Sequence, residues 1–379
     1  MQVTKSRKRV IEQEAFNGLI RLTYLDLSNN LLKFLPSYLL YTNPQLLDIS
    51  ENDILPSSFA SSFFSKQTSL LSVYVQYEEI CCIVQTSICI PDFVNTNIYT
   101  GCLQLLGPSW ILVVVMIYSC LIIFFNVFCF WYVSSHNQLS VKSALECNQT
   151  VSDGLMGVYY AILLVADIVY MNDASYIMIY WKRSWLCKTA SLFMMLSIEF
   201  SLSASLIISI ERLITLVIYP FGNYKMSKRT AACLTVMSKI LTSVVPVMSM
   251  FHSSIEITNS LCISLASLPV NFSVLYCMVH ALQFTALCMI YGIVLKTVKG
   301  HSRHSDSKNH SKHIFKFGCI ILTSCISYFT ASILIVSAMA KIKMYSYLPI
   351  LSLIILPLSS MINPVKTIIQ IKTNMRTIT

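Results

Sequence analysis

The stretch from Cys187 to Phe221 constrains the fold more than any other part of the chain. Between Lys188 and Glu211 its only charged residue is Glu199, and its Ala, Leu, Met, Ser and Ile residues show no alternation with period two. A run of this length and polarity is predicted to cross a bilayer as a helix. Cys187 and Arg212 lie 25 positions apart, which at 1.5 Å per residue is roughly 37 Å, one residue near each membrane face.

The composition supports a chain that crosses the membrane several times. Hydrophobic residues make up 55% of the 379 residues, charged residues make up 12%, and the mean hydropathy is +0.65. Soluble domains carry about 25% charged residues. The net charge is +10, and we expect the basic residues of the cytosolic loops to lie against anionic lipid. No feature of the sequence indicates nucleic-acid binding. The sequence holds no GxxxxGK[ST], HExxH or GxSxG motif, so we do not expect an enzyme.

Seven apolar stretches predict seven membrane spans, at residues 110–133, 151–171, 188–213, 231–251, 268–295, 314–340 and 346–370. Loops on the inner side of a membrane are enriched in Lys and Arg. An outside N-terminus and an inside C-terminus place most basic loop residues inside, namely Lys142, Lys225, Lys228, Arg229, Lys299, Arg303, Lys308 and Lys312. The predicted fold class is therefore an all-α membrane protein with a bundle of seven helices.

A short repeat precedes the spans. Residues 22–32 fit LxxLxLxxNxL, and the pattern returns 22 residues later, from Leu25 to Leu47 and from Asn30 to Asn52. This spacing predicts leucine-rich repeats, an α/β solenoid whose leucines form the core. We expect two repeats, forming the remnant of a longer array. Because a repeat buries only the faces its neighbours cover, we expect the first repeat to be open on one side, at Leu25, Leu27, Leu32 and Phe34.

The segment between the repeats and the spans is polar and carries four cysteines, Cys81, Cys82, Cys89 and Cys102. Cysteines clustered outside a membrane indicate disulfides in an oxidising compartment, although free thiols remain an alternative. The predicted domains are a repeat remnant at 1–66, a cysteine-bearing hinge at 67–109, a seven-helix domain at 110–371 and a short cytosolic tail at 372–379.

Residues 187–221 resemble the third transmembrane helix of rhodopsin-like G-protein-coupled receptors. The resemblance lies in Cys187 at one end, Glu211-Arg212-Leu213 at the other, and Ile218-Tyr219-Pro220-Phe221 beyond. Together with the repeats, the segment LSIEFSLSASLIISIERLITLVIYPF resembles the leucine-rich-repeat receptors of the relaxin-receptor type. This resemblance implies a plasma-membrane hormone receptor that couples to a heterotrimeric G protein.

The resemblance also implies roles for individual residues. Glu211 and Arg212 match the family's paired charges, Tyr291 matches a switch tyrosine, and Asn363-Pro364 matches the kink of the seventh span. A disulfide between Cys187 and Cys262 is implied, with pairing of Cys187 to a hinge cysteine as the alternative.

A carboxylate inside a membrane is costly and usually has a partner or an ion, and Asp153 is such a residue. The resemblance places it in a polar cluster with Asn126, Ser201, Ser359 and Asn363, where the family holds a sodium ion. A hard cation suits carboxylate and hydroxyl oxygens. The alternative is a hydrogen-bonded packing cluster without an ion, and no other cofactor is expected.

The chain departs from the family in its later spans. Thr367 stands where the family has a second switch tyrosine, and residues 324–328 lack the family's tryptophan and proline. These departures leave an alternative function, a membrane-anchored leucine-rich-repeat binding or decoy protein with a bundle that does not signal. A transporter would show inverted repeats, and the sequence has none that we detect.

Overall fold

The computed structural model describes residues 9–12, 15–16, 18–19, 21–36, 39, 42, 44–55, 58–59, 64, 69–77, 80–81, 83–84, 88–91, 106, 109–136, 140–170, 174–219, 226–251, 260–263, 270–302, 329–333, 336 and 348–376. The chain divides into two compact units. The first comprises Met1–Leu112, Val165–Ser184 and Thr258–Ser260, and the second comprises Val113–Leu164, Trp185–Ile257 and Leu261–Thr379.

The first unit contains a parallel four-stranded sheet whose strands follow chain order. They are β1 (Tyr24–Asp26), β2 (Leu46–Asp48), β3 (Ser72–Val75) and β4 (Ile88–Pro91). Leu25 pairs with Leu47, and Leu47 pairs with Val73. This register stacks equivalent positions of successive repeats, which confirms the predicted leucine-rich-repeat solenoid.

The number of repeats was predicted too low, because β3 and β4 lie beyond residue 66 and inside the predicted hinge. β3 keeps the alternation of the first two copies, with Val73 and Val75 fully buried. The chain has Glu78 where the earlier copies have asparagine, so the motif was hidden. The domain limits at residues 66 and 109 remain predictions.

Two asparagines bind the backbone of the repeats. Asn30 donates to the carbonyls of Leu27 and Ser28. Asn52 spans two repeats: its amide donates to the Leu27 carbonyl at 2.9 Å, and its side-chain oxygen accepts from the Leu32 amide at 3.1 Å. These bonds satisfy turn groups that would otherwise be buried without partners.

The expected opening of the first repeat is wrong for three of its four residues. Leu25, Leu27 and Leu32 are at most 1% exposed, whereas Phe34 is 49% exposed. Phe16, from the segment before the first repeat, belongs to the same hydrophobic core. The side chain of Phe16 therefore packs in the core of the first repeat, on which we had expected an exposed face.

Three contacts within the first unit connect the segments around the sheet. The Leu106 amide donates to Asp167 Oδ1 at 2.9 Å, and Trp181 Nε1 donates to the Ser260 carbonyl at 2.8 Å. Tyr77 donates to Asp53 Oδ1 at 3.2 Å. Partial burial and the Asp53 carboxylate raise the Tyr77 pKa, and Arg183 opposes this shift.

The helices are α1 (Ser109–His136), α2 (Val141–Val169), α3 (Ala174–Arg183), α4 (Trp185–Leu213), α5 (Lys228–Phe251), α6 (Val270–Ser302), α7 (Leu348–Ile355) and α8 (Pro357–Arg376). A π-helical turn, Ile214–Ile218, follows α4. Within the described residues, α1, α2, α4, α5 and α6 are long and apolar enough to cross a membrane, which supports the membrane class. The predicted sixth span lies largely outside the described residues, and the predicted seventh span comprises α7 and α8.

Two predicted limits differ from the structure. α2 begins at Val141, ten residues before the predicted start of the second span, so Asp153 lies in the helix interior and not at its start. The first ten residues of α2 are rich in polar residues, which is why the sequence did not predict them as part of the span. Two of their contacts are seen: Gln149 Nε2 lies 3.2 Å from Ser205 Oγ on α4, and Lys142 Nζ lies 3.8 Å from Glu146 Oε1. The seventh span is divided at Leu356, directly before Pro357.

Candidate functional site

The second unit is built around α4, which packs against both α5 and α6. Cys187 in its first turn forms a disulfide with Cys262, and both residues are fully buried. Cys81 of the first unit is joined to Cys89, so the structure does not contain the alternative pairing of Cys187 with either of them. Cys82 and Cys102 lie outside the described residues.

Asp153 is the centre of a buried polar network between α2 and α8. Its side chain is fully buried, and its two carboxylate oxygens accept from different residues of α8. Ser360 Oγ lies 3.4 Å from Oδ1, and Asn363 Nδ2 lies 3.0 Å from Oδ2. Carboxylates in an apolar surrounding need such donors, so this contact fixes how α2 faces α8.

Asn126 joins the same network from α1. Its Nδ2 donates to the Ile122 carbonyl at 2.9 Å and to the Ser360 carbonyl at 3.0 Å. Ser360 lies four residues before Pro364, and a proline has no amide hydrogen to donate to that carbonyl. Asn126 therefore replaces the helical hydrogen bond that Pro364 removes.

The predicted cluster differs from this network in its serines. Ser360 contacts Asp153, whereas Ser359 Oγ donates to the Leu356 carbonyl at 3.3 Å. Positions three and four residues before Asn363 share its helix face, so spacing alone does not choose between these serines. Ser201 is buried on α4, and within the described residues no hydrogen bond joins it to Asp153.

The donor set around Asp153 is compatible with a hard monovalent cation. It offers a carboxylate, the Ser360 hydroxyl and the side-chain oxygen of Asn126, which is buried and has no hydrogen-bond partner in the described part of the chain. Oxygen ligands of this kind suit sodium better than transition metals. The described residues contain no group of three His, Cys, Asp or Glu side chains that suits a metal.

The predicted switch residues lie near the other end of α4. Arg212 Nε lies 3.4 Å from Glu211 Oε2, and Glu211 is buried. Tyr291 is also buried, on α6, a helix that packs against the π-helical turn after Arg212. Thr367, which replaces the family's tyrosine, donates to the Asn363 carbonyl within its own helix at 3.2 Å.

A second buried ionisable contact was not predicted. Glu199 on α4 and His280 on α6 are each 2% exposed, and Oε1 lies 2.6 Å from Nε2. The Tyr276 ring packs on the imidazole with centroids 4.3 Å apart. Glu199 is the only charged residue between Lys188 and Glu211, and this isolated charge could have identified it as a functional candidate. Its partner could not be predicted in the same way, because His280 lies 81 residues later.

Comparisons with known proteins give matches for the repeats and for most of the chain, including the helical unit. Residues 1–54 match the leucine rich repeat family model. The follicle-stimulating hormone receptor of Felis catus is 23% identical over 300 residues, covering 77% of this chain and 42% of that receptor. The lutropin-choriogonadotropic hormone receptor of Gallus gallus is 22% identical over 320 residues, covering 82% and 43%.

A third similar protein is the G-protein coupled receptor GRL101 of Lymnaea stagnalis. It is 26% identical over 259 residues, which are 62% of this chain and 22% of that receptor. The chain spans less than half the length of these relatives. The chain is therefore similar to receptors that combine leucine-rich repeats with a membrane domain, and closeness to the relaxin type remains a prediction.

The Glu199–His280 contact predicts how substitutions of these two residues change the thermal stability of the chain. His280→Phe keeps an aromatic ring against Tyr276 but leaves the Glu199 carboxyl buried without its partner, which costs ~3–5 kcal/mol. Adding Glu199→Leu should recover most of that loss. The measurement is thermal unfolding in detergent micelles, with exposed Thr285→Ala on the same helix as the control. Equal stability of His280→Phe and the unaltered chain, or no recovery in the double variant, would contradict the assignment.

Proposed function

We propose that this chain, a relative of the leucine-rich-repeat-containing G-protein-coupled receptors, transmits a peptide or protein hormone signal to a heterotrimeric G protein. The proposal includes seven spans: the five membrane-length helices, the α7–α8 pair, and a sixth span in residues 314–340. It places the chain in the plasma membrane with the repeats outside. The observation that carries it is the Asp153 network between α2 and α8 in a chain that also has a repeat solenoid.

In the proposed mechanism, the Glu211–Arg212 pair holds the resting state. Arg212 is partly exposed, at 19% of its side chain, so a packing that separates it from Glu211 would present its guanidinium to the G protein. A ligand acts by favouring one of two such packings. Tyr291 lies on the helix next to this end of α4, and Asn363 and Pro364 couple the same movement to Asp153.

The hormone would bind the repeats, whose strands leave Tyr24 exposed and Asp48 and Tyr74 partly exposed. We propose a relaxin-like hormone on the resemblance of residues 196–221. The similar receptors from Felis catus and Gallus gallus carry the names of glycoprotein hormones, so a hormone of that kind is the other ligand to test. Both ligand classes are proteins or peptides, and neither requires catalysis.

A sodium ion beside Asp153 is part of the same proposal. Asp153, Ser360 and Asn126 would hold it, and it would add a positive charge where the carboxylate is buried. An ion that binds the folded state alone stabilises that state by mass action. Sodium chloride, compared with choline chloride at equal ionic strength, should therefore raise the unfolding temperature of the unaltered chain and not that of Asp153→Asn. An equal response of both proteins would leave a packing cluster without an ion.

Receptor function is tested by nucleotide exchange on purified heterotrimeric G proteins, with the chain in lipid nanodiscs and relaxin-like or glycoprotein hormones added. We expect hormone to accelerate exchange and Arg212→Ala to reduce this response about tenfold or more, an interaction loss of ~1.4 kcal/mol. Lys188→Ala, which removes a cation from the other end of α4, should retain the response. Hormone binding without any exchange would overturn the proposal and favour the binding or decoy protein.

A further inference from the structure

The predicted seventh span contains three prolines. Pro349 lies in the first turn of α7, where a backbone amide has no acceptor within the helix. Pro357 and Pro364 each remove a helical hydrogen bond. Pro357 and Pro364 have no amide hydrogen, so the carbonyls four residues earlier, those of Leu353 and Ser360, lose their usual donors. A carbonyl buried without a donor is costly in an apolar surrounding. Membrane helices tolerate proline when neighbouring side chains bind the freed groups.

At Pro357 the missing donor is replaced by a tyrosine. The Tyr160 hydroxyl of α2 donates to the Leu353 carbonyl, and the Tyr118 hydroxyl of α1 donates to the Ile354 carbonyl at 3.2 Å. Both carbonyls belong to the last turn of α7, where helical carbonyls have no partner within the helix. Two spans therefore bind the end of α7 at adjacent residues.

The two tyrosines also pack against each other. Their ring centroids lie 5.9 Å apart in an edge-on arrangement, and Tyr160 is 1% exposed. α1 and α2 come close beside them: a Cβ added to Gly157, three residues before Tyr160, would lie 2.7 Å from Ile123 Cγ1. The glycine thus allows the close approach that brings both hydroxyls to one helix end.

We infer that Tyr118 and Tyr160 form a clasp on the carbonyls of Leu353 and Ile354 that holds the break between α7 and α8 in its resting geometry. α7 ends at Ile355, Leu356 lies between the helices, and α8 begins at Pro357. Releasing the clasp leaves the last turn of α7 without its side-chain donors, so the break becomes a hinge for α8, the helix that carries Asn363. This signalling consequence rests on the proposed function, whereas the clasp itself does not.

The clasp joins α7 to other helices in a span that lacks the switch tyrosine of the receptor family at Thr367. Thr367 is bonded to its own helix through the Asn363 carbonyl, so it does not replace a long side chain that reaches another span. The tyrosines act on carbonyls that lie 13 and 14 residues before Thr367 on the same span, nearly four helical turns away. They are positioning residues, because they act on α8 through the α7 backbone.

Amide hydrogen exchange at Leu356 and Leu358, on either side of Pro357, measures the clasp directly in the purified full chain. Tyr160→Phe removes one hydroxyl and retains the ring, and should accelerate exchange at these amides about tenfold, because one buried carbonyl loses its donor. Tyr118→Phe should act in the same direction. Tyr159→Phe is the matched control, since its hydroxyl donates to the Leu261 carbonyl instead.

A second variant separates the clasp from general loosening. Pro357→Ala restores an amide that can donate to the Leu353 carbonyl, so Tyr160→Phe should then have little further effect on exchange. Unchanged exchange in Tyr160→Phe, an equal increase in Tyr159→Phe, or a full effect of Tyr160→Phe in the Pro357→Ala background would each overturn the clasp.

Basal nucleotide exchange on the G protein tests the signalling consequence separately. Tyr160→Phe should change the basal rate at least threefold relative to Tyr159→Phe. Faster amide exchange with an unchanged basal rate would overturn the hinge's role in signalling and leave the clasp intact. If the unaltered chain drives no nucleotide exchange with any hormone, the proposed function fails, while amide exchange still decides the clasp.

Discussion

The carboxylate of Asp153 has no exposure to solvent, and its donors come from a helix more than 200 residues later in the chain. Its bonds to Ser360 and Asn363 determine which face of α8 meets α2. The same face presents the Ser360 carbonyl to Asn126 of α1. Because a buried charge without donors is far more costly than a misplaced apolar side chain, this contact fixes the relative placement of three helices.

The same rule explains the other specific contacts of the helical unit. Glu199 lies against His280 between α4 and α6, and the carbonyls freed by Pro357 and Pro364 each accept from a side chain of another helix. Most apolar contacts in a membrane bundle are weakly directional, since lipid tails are as apolar as leucine. Polar contacts therefore select one arrangement of helices among many that bury similar apolar area.

Much of this fold could be predicted from local patterns. The repeat register and the five membrane-length helices follow from the spacing and polarity of the residues. The need of Asp153 for a polar partner follows from its position inside an apolar span. β3 was missed because Glu78 replaces the asparagine of the first two repeats. The first part of α2 was missed because its sequence is polar, and the contact of Gln149 with Ser205 on α4 is not visible in a local pattern. The choice of Ser360 over Ser359 and the pairing of Glu199 with His280 depend on contacts between distant segments, which no local pattern contains.

Reciprocal exchange of the two side chains tests whether Asp153 and Asn363 bind each other across α2 and α8. Thermal unfolding would compare the unaltered chain, Asp153→Asn, Asn363→Asp and the double variant, which restores one carboxylate and one amide at the same contact. We expect each single variant to be less stable than the unaltered chain and the double variant to recover at least half of the summed loss, because residues in contact do not contribute additively. Losses that simply add in the double variant would contradict this contact.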